Sequence, residues 1–437
     1  MSARAKSAIA GRQQRPLLGR CQVPSDKSIS HRAAILAACS PGRSEILNFS
    51  PAGDCRASLA LVRSLGCEVS QGGSRLEITG LLASTRTRTS DGALDCERSG
   101  TTMRLGAGLA AGLPIRVRLT GHPQLLRRPM ERVAEPLRRM GAEVSTAPGG
   151  RPPIAIRGGG LIGIEYVAST PSAQVKSAVL IAGLHASSPT TVVEPVPTRD
   201  HTERMLAAMG ASIEEADTEQ GRSIRVEPGP LSPLRLSIPG DASSASVLAA
   251  AAALVPGSDV VLERVSANPT RTRFFKVLAQ MGTSIEFVPA SDTLGPEPVT
   301  DLRVRQQPLS AVRIETDEVP LLIDELPLIG LLATAAEGVT EVRGAAELRT
   351  KESDRIAGLV AGLRALGAEA EELEDGFIVR GPTQLRGGAC DALTDHRLAM
   401  TFTLAGLVSA GPVEVAGTEF ISDSFPGFFT SLRELSA

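Results

Sequence analysis

The sequence predicts a mixed α/β protein built from about six copies of one helix and strand unit, and three observations predict it. First, a helical pattern repeatedly runs into Leu or Met, then Gly, then a short alternating strand pattern, at intervals of about 70 to 85 residues. Second, small polar clusters precede Ala/Leu-rich helical segments. Third, β-branched residues fill the stretches between the two helices of a copy. The 437 residues correspond to roughly two or three domains.

The endings of the copies predict where helices stop. A Gly after the last apolar residue fits the left-handed position that closes a helix, and the alternating residues after it fit a strand. The five endings are Leu65-Gly66, Met140-Gly141, Met209-Gly210, Met281-Gly282 and Leu366-Gly367.

The openings of the copies predict six helix N-termini. Strand-forming stretches, such as residues 191–194 and 259–262, follow the opening helix. Six such units could form a solenoid or two closed groups of three, and periodicity does not decide between them. Since each N-terminus carries unpaired N–H groups and partial positive charge, convergence of several on one cleft would make an anion site and favours the closed arrangement. The openings are residues 24–28, 98–101, 171–174, 239–244, 323–325 and 395–397.

Composition excludes several classes of function. A net charge of −2 argues against a nucleic-acid or membrane-surface binder, and 3% aromatic residues without Trp argue against base stacking. The six cysteines form no C-x-x-C pair and lie beside no His cluster, so we expect free, mostly buried thiols and no metal site. Without a spanning or secretory apolar run, the chain is expected in the cytoplasm. The basic, acid-free first 20 residues are interpreted as a short disordered tail rather than a transit peptide.

Cationic and hydroxyl or acidic residues stand together at the openings of the predicted helices. Lys27, Ser28 and Arg32 begin one helix, and Lys351 and Arg355 are predicted on one face of another. Two further basic pairs are Arg127-Arg128 and His396-Arg397. Each alone could be a helix cap with solvated charges. Together they are typical of a site for two phosphorylated or carboxylated substrates with acid and base groups. Neither a P-loop nor a dinucleotide-binding glycine motif occurs.

Eight motifs in one order resemble the EPSP synthases of the enolpyruvyl transferase family. The resemblance implies an inside-out α/β barrel in two domains, each with three βαβαββ repeats, and an active site in the cleft between them. Residues 24–238 would form one lobe, and residues 1–23, with a strand at about 17–23, would join residues 239–437 in the other. The motifs are residues 26–32, 99–105, 128–130, 171–178, 199–203, 239–241, 351–355 and 395–397.

The resemblance also implies an activity: transfer of the enolpyruvyl group of phosphoenolpyruvate to the 5-hydroxyl of shikimate 3-phosphate by addition and elimination, without metal or cofactor. This step belongs to chorismate and aromatic amino acid biosynthesis and is the target of glyphosate. Asp324, Glu352 and Lys27 match the catalytic positions. The residues implied for shikimate 3-phosphate are Lys27, Ser28, Arg32, Ser172, Ala173, Gln174, Arg199, Asp324 and Lys351. Those implied for phosphoenolpyruvate are Lys27, Gly100, Arg128, Gln174, Arg355 and Arg397.

The chain departs from the family pattern beside these residues. Glu97-Arg98 replaces a common Gly-Asn, so Arg98 would bind the phosphate or pair with Glu97 instead. Asp423 stands where some relatives carry Lys, and His396 is a further candidate for the site. Because Gly100 has no Cβ, it leaves room in the phosphoenolpyruvate pocket, and we expect Gly100→Ala to weaken glyphosate inhibition.

Two other functions remain open at this point. The sister transferase that acts on UDP-N-acetylglucosamine shares the implied fold but uses a loop cysteine, and no cysteine lies in a comparable loop near Arg128. A non-catalytic anion-binding homologue is the second alternative, and Glu97-Arg98 is the reason to consider it. We expect a monomer with small-molecule substrates and neither nucleic-acid nor membrane partners.

Overall fold

The structure is a computed structural model that describes residues 7–81, 92–290 and 293–436. Helices and strands alternate along these residues, and the strands form six separate open sheets, as the α/β prediction requires. The helices are α1 (Lys27–Ala38), α2 (Gly53–Leu65), α3 (Gly100–Gly112), α4 (Glu131–Arg139), α5 (Ala173–Gly183), α6 (His201–Ala208), α7 (Ala242–Leu254), α8 (Arg273–Gln280), α9 (Val319–Leu322), α10 (Leu326–Ala333), α11 (Arg355–Ala365), α12 (His396–Val408) and α13 (Phe428–Ser436).

Most strands are short, with three to eight residues each. They are β1 (Ser7–Ala10), β2 (Leu18–Gln22), β3 (Arg43–Leu47), β4 (Glu68–Gly72), β5 (Arg75–Thr79), β6 (Ala93–Asp95), β7 (Arg116–Thr120), β8 (Glu143–Ala147), β9 (Arg151–Arg157), β10 (Glu165–Val167), β11 (Thr190–Glu194), β12 (Ile213–Thr218), β13 (Gly221–Val226), β14 (Arg235–Ser237), β15 (Asp259–Ser266), β16 (Ser284–Pro289), β17 (Val299–Arg305), β18 (Arg313–Ile314), β19 (Gly338–Val342), β20 (Glu369–Leu373), β21 (Gly376–Gly381), β22 (Gly388–Asp391) and β23 (Val413–Ala416).

The described residues divide into two compact units. Unit 1 takes its residues from Met1–Pro24, Pro239–Asp292 and Pro298–Ala437, and unit 2 takes its residues from Ser25–Ile238 and Thr293–Glu297. Each unit has a separate hydrophobic core.

Five of the sheets share one strand order, and the sheet β14-β3-β5-β4 illustrates it. β14 runs parallel to β3, which pairs antiparallel with β5, and β5 pairs antiparallel with β4. The long chain segment between β3 and β14 permits their parallel pairing, and the tight turn between β4 and β5 makes those two strands antiparallel. The other four sheets are β6-β7-β9-β8, β10-β11-β13-β12, β2-β15-β17-β16 and β18-β19-β21-β20.

The sixth sheet corrects the prediction for the N-terminus. It has three strands, in which β22 runs parallel to β23 and β23 pairs antiparallel with β1. The expectation of a disordered tail is wrong for Ser7–Ala10, because this sheet has no later hairpin of its own and β1 pairs with its open edge. Residues 1–6 lie outside the described part of the chain, and the predicted strand at 17–23 corresponds to β2.

Three helices pack together at the centre of each unit. In unit 1 these are α7, α10 and α12, and in unit 2 they are α1, α3 and α5. They consist mainly of small and aliphatic residues and are buried along most of their length; all 13 residues of α7 are buried. A three-helix centre is a closed arrangement, so the solenoid alternative is excluded. All six central helices begin at the predicted openings.

Three further observations concern the cysteines, the length of the helices and the grouping of metal-binding side chains. The six cysteines are free and buried, as expected. Among residues 7–81, 92–290 and 293–436, no helix has the length and apolar character needed to cross a membrane. The same residues contain no group of three or more His, Cys, Asp or Glu side chains arranged to hold a metal ion.

Candidate active site

In unit 2, the first turn of α1 presents Lys27 and Ser28. Asp26 caps this helix, because its Oδ1 accepts a hydrogen bond from the backbone N–H of Ile29 at 2.8 Å. Lys27 is partly buried, and its Nζ lies 3.0 Å from Oδ2 of Asp54 on α2. Pairing with a carboxylate keeps a partly buried ammonium charged and restrains its long side chain.

Arg32, one turn further along α1, ties this helix to two others. Its Nε donates to Oγ1 of Thr202 at 2.8 Å, and its Nη2 donates to Oγ of Ser177 at 3.0 Å and to the carbonyl of Ala173 at 3.4 Å. Burial lowers the pKa of this guanidinium, which is 2% exposed, to about 10. Arg32 therefore positions the start of α5, and its direct contact with shikimate 3-phosphate stays a prediction.

The first turn of α5 holds the predicted Ser172-Ala173-Gln174 set. Ser172 caps the helix by accepting a hydrogen bond from the N–H of Val175 at 3.5 Å. Gln174 reaches α3, where its Nε2 donates to Oγ1 of Thr101 at 2.9 Å and its Oε1 accepts from Nη1 of Arg104. Gln174 thus joins the start of α5 to the start of α3.

Arg104 is a member of the site that sequence reasoning did not select. Its side chain is fully buried in α3, and its Nη2 donates to the carbonyl of Pro129 at 3.2 Å. The signal was present in the sequence, because an arginine within the apolar run of residues 103–111 must find polar partners when the helix is buried.

Gly100 lies against the predicted phosphoenolpyruvate residues of unit 2. A Cβ at this position would come within 2.8 Å of Nη1 of Arg128 and 2.9 Å of Nη1 of Arg104. Arg128 follows a 3₁₀ turn at Leu125–Arg127 and lies directly before Pro129. The structure therefore brings Gly100, Arg128 and Gln174 together around Arg104.

Arg98 forms a contact that neither sequence interpretation anticipated. Its Nη2 donates to Oε1 of Gln124 at 2.5 Å, in the loop that leads to Arg128. The same loop is held by the backbone, since the N–H of His122 donates to the carbonyl of Glu97 at 2.7 Å.

Arg199, the remaining predicted residue of unit 2, is half-buried before α6 and near enough to Arg32 for its charge to lower the pKa of Arg32.

In unit 1, Arg355 contacts three carboxylates at once. Its Nε donates to Oδ2 of Asp395 at 2.7 Å, its Nη2 to Oε2 of Glu352 at 2.5 Å, and its Nη1 to Oδ1 of Asp324 at 3.4 Å. Burial acts to lower the pKa of Arg355, but the three carboxylates outweigh it and raise the pKa above its ordinary value. Both predicted acid and base residues therefore share one guanidinium.

Asp395 is the second residue that the sequence-based selection missed. Its Oδ1 caps α12 by accepting from the N–H of Arg397 at 2.8 Å, while its Oδ2 accepts from Arg355. The side chain is completely buried. One carboxylate thus joins the starts of α11 and α12, a link that the separation of 40 residues hides in the sequence.

Lys351 corrects one local prediction. It follows a 3₁₀ turn at Ala346–Thr350, and α11 begins only at Arg355, so the two residues do not share a helix face. The reason is that Asp354 caps α11 by accepting from the N–H of Ala357 at 3.0 Å. The Nζ of Lys351 donates to Oε1 of Glu347 at 3.2 Å.

Arg397 differs from Arg355 in how its donors are used. It is 8% exposed, and its Nη1 lies 3.9 Å from Oε1 of Glu325, which is an ion pair without a hydrogen bond. Its Nε is buried and has no hydrogen-bond partner among the described residues. A buried guanidinium with an unused N–H donor can bind an anionic group of a ligand. His396, beside it, is buried as well.

Comparison with known proteins identifies the family. Residues 12–432 match the family model described as EPSP synthase (3-phosphoshikimate 1-carboxyvinyltransferase). The chain belongs to the EPSP synthase family. It is 44% identical over 422 residues to the 3-phosphoshikimate 1-carboxyvinyltransferase of Sulfurihydrogenibium sp. (strain YO3AOP1), with 96% of this chain and 97% of that protein covered. It is 46% identical over 415 residues to the enzyme of the same name from Acidithiobacillus ferrooxidans, with 94% of each covered.

The fold agrees with solved members of the EPSP synthase family. The EPSP synthase structure from Acinetobacter baumannii superposes with a TM-score of 0.85 at 38% sequence identity, covering 98% of this chain and 97% of that chain. The fold class implied by the resemblance is therefore confirmed, and the match favours this family over the sister transferase. The family model covers every motif that carried the resemblance.

Proposed function

We propose that this chain transfers the enolpyruvyl group of phosphoenolpyruvate to the 5-hydroxyl of shikimate 3-phosphate, with the two residue sets described above. The products are 5-enolpyruvylshikimate 3-phosphate and phosphate. Membership in the EPSP synthase family supports the reaction. The observation that carries the catalytic part is the shared contact of Arg355 with Asp324 and Glu352, because it holds two carboxyl groups at one place.

The unit 1 set supplies the proton transfers in this proposal. Glu352 protonates the methylene carbon of phosphoenolpyruvate, and contact with Arg355 favours the charged carboxylate that remains after donation. Asp324 takes the proton of the 5-hydroxyl as its oxygen attacks C2, and Lys27 of unit 2, the alternative base, would first have to lose its own proton. Arg397 receives an anionic group of phosphoenolpyruvate.

In this proposal, the residues of unit 2 bind the anionic groups of the two substrates. Lys27, Ser28, Arg32, Arg199 and the start of α5 recognise shikimate 3-phosphate, together with Asp324 and Lys351. Lys27, Arg128 and Gln174 face phosphoenolpyruvate next to Gly100. When the tetrahedral adduct collapses, the C2–O bond to the phosphate breaks, and these cations stabilise the leaving phosphate. Arg98 of unit 2 and His396 of unit 1 remain additional candidates for substrate binding.

Phosphate release tests the proposal directly. We expect phosphate only from phosphoenolpyruvate with shikimate 3-phosphate, and none when UDP-N-acetylglucosamine replaces the second substrate. Glu352→Gln and Lys27→Ala are expected to lower kcat at least about 100-fold, the scale of a lost acid or charge stabiliser. Arg63→Ala, on the exposed side of α2, is the matched control and should retain full activity.

Two outcomes contradict the proposal in different ways. No turnover by the unmodified chain would favour the non-catalytic anion-binding homologue. Full activity in both Glu352→Gln and Lys27→Ala would leave the reaction in place and remove the assigned roles. We further propose that the protein is cytoplasmic and monomeric. Size-exclusion chromatography with light scattering tests the monomeric state.

A further inference from the structure

A buried polar chain in unit 1 ends at Arg397, and its other members belong to neither of the residue sets above. Nη2 of Arg271 donates to Oγ of Ser243 at 2.8 Å and lies 3.0 Å from Oδ1 of Asp241. The hydroxyl of Ser243 in turn donates to Oε1 of Glu325. The same Oε1 atom is 3.9 Å from Nη1 of Arg397.

Four separate elements contribute to this chain. Ser243 lies in the first turn of α7, Arg271 precedes α8, Glu325 directly precedes α10, and Arg397 lies in the first turn of α12. Since three of these helices form the centre of unit 1, the chain runs across the ends of the central helices. Only the packing of those helices brings the four side chains together.

Burial shows that the chain is built into the fold. Glu325 is 5% exposed and Arg271 is 7% exposed. Charges in such positions are stable only when paired, and here two guanidinium groups face the carboxylates of Asp241 and Glu325. Removal of one member leaves another buried and uncompensated.

The geometry makes Glu325 a fixed ion-pair partner that anchors Arg397. Its Oε1 carries the hydrogen bond from Ser243, and Arg271 acts on that hydroxyl from the other side. Ser243 therefore holds Oε1 of Glu325 in place, and the ion pair to Arg397 stays at 3.9 Å, beyond hydrogen-bond length. Arg397 is restrained while its donors remain available.

We propose that Glu325 and Arg271 are positioning residues, which act through Ser243 to orient Arg397 toward the anionic group of phosphoenolpyruvate. This inference rests on the proposed function of Arg397. It predicts that loss of the Glu325 charge harms the binding of one substrate and spares that of the other. A structural role alone would affect stability and both substrates together.

Steady-state kinetics of the full chain with each substrate varied in turn tests the inference. Glu325→Gln keeps the size and the acceptor for Ser243 but removes the charge. We expect its KM for phosphoenolpyruvate to rise about 10-fold, the scale of one lost charge-assisted contact, with KM for shikimate 3-phosphate within about twofold of the unmodified value. Glu337→Gln removes an exposed charge just after α10 and is the matched control, with both KM values unchanged.

Conservative variants separate positioning from folding. Arg271→Lys retains the charge and should raise KM for phosphoenolpyruvate less than Arg271→Gln. Ser243→Ala keeps every charge and decides the question if Glu325→Gln does not fold. The double variant Glu325→Gln/Arg397→Lys should raise KM no more than Arg397→Lys does alone, because Glu325 acts only through Arg397.

The outcomes distinguish this inference from the proposed function. If Arg397→Lys raises KM for phosphoenolpyruvate but Glu325→Gln and Ser243→Ala leave it unchanged, the positioning role is wrong and the proposed function stands. Equal increases in both KM values, or additive effects in the double variant, overturn the positioning role as well. An unchanged KM in Arg397→Lys, or no turnover by the unmodified chain, contradicts the proposed function and the inference with it.

Discussion

At the residue scale, position 100 shows how closely the cations of unit 2 surround one backbone atom. A Cβ there would press on the guanidinium ends of Arg128 and Arg104 and not on backbone atoms. The ends of long side chains can move at small cost, so an added methyl group should displace the cations and leave the fold intact. The crowding expected from the sequence therefore acts through Arg128.

We predict that Gly100→Ala raises KM for phosphoenolpyruvate about 10-fold and weakens glyphosate inhibition, because Arg128 loses its orientation. The free energy of unfolding should change by less than about 1 kcal/mol, since Ala is favourable in a helix. Gly108→Ala is the control on the same helix. Its Cβ would overlap the backbone of Ala178 on α5, so it should destabilise the protein by about 1–3 kcal/mol. Unchanged kinetics in Gly100→Ala would disprove the argument.

Other buried groups in unit 2 hold the helices without any chemical role in the proposal. Nδ1 of His31 on α1 lies 2.8 Å from Oγ of Ser58 on α2, and Ser58 Oγ lies 2.8 Å from Oγ1 of Thr102 on α3. Burial lowers the pKa of His31 to about 3, so this imidazole is neutral at physiological pH. His31 therefore connects three helices as an uncharged polar group, although it stands between predicted site residues in the sequence.

At the element scale, α11 and α12 are each capped by an aspartate, and the two aspartates lie in different environments. Asp354 and Asp395 each cap a helix with Oδ1 and meet an arginine with Oδ2. The Asp354 side chain is 39% exposed and faces Arg349, whereas Asp395 and Arg355 are buried. The two helix starts therefore differ in the environment of the ion pair and not in the cap.

We predict that Asp395→Asn destabilises the protein by about 3 kcal/mol, because Asn still caps the helix but leaves part of the buried Arg355 charge uncompensated. Asp354→Asn, the matched control, should cost less than about 1 kcal/mol, since its ion pair is exposed to solvent. Urea denaturation of both variants measures the difference. Equal losses would mean that capping, and not the buried ion pair, sets the stability of these helix starts.

At the scale of the whole molecule, the proposed residues are divided between the two units. Lys27, Arg128 and Gln174 belong to unit 2, and Asp324, Glu352 and Arg397 belong to unit 1. The chain passes from unit 1 to unit 2 after Pro24 and returns after Ile238, and the short segment Thr293–Glu297 belongs to unit 2 as well. A reaction that needs both sets of residues therefore needs both units. Mixing two impaired variants tests whether a single chain supplies both sets.

We predict that Lys27→Ala and Arg397→Ala are each impaired and that an equimolar mixture stays as impaired as its components, because one chain supplies both sets. Phosphate release from the mixture is the measurement, and unmodified enzyme diluted to the same total concentration is the control. Recovery of activity in the mixture would show that two chains together complete the residue set.

Sequence periodicity by itself predicted the α/β class and the six central helix starts, because capping residues and apolar patterns act locally. The site residues came from motifs that resemble the EPSP synthase family, and they stay predictions. Sequence reasoning misplaced Lys351 on α11 and missed strand β1, since a distant cap and an open sheet edge decide those details. Tertiary packing alone brought Arg104, Asp395 and the Arg271–Glu325 chain to the predicted residues. Tertiary packing pairs these buried groups across separations of 25 to 82 residues, and no local sequence pattern records those pairs.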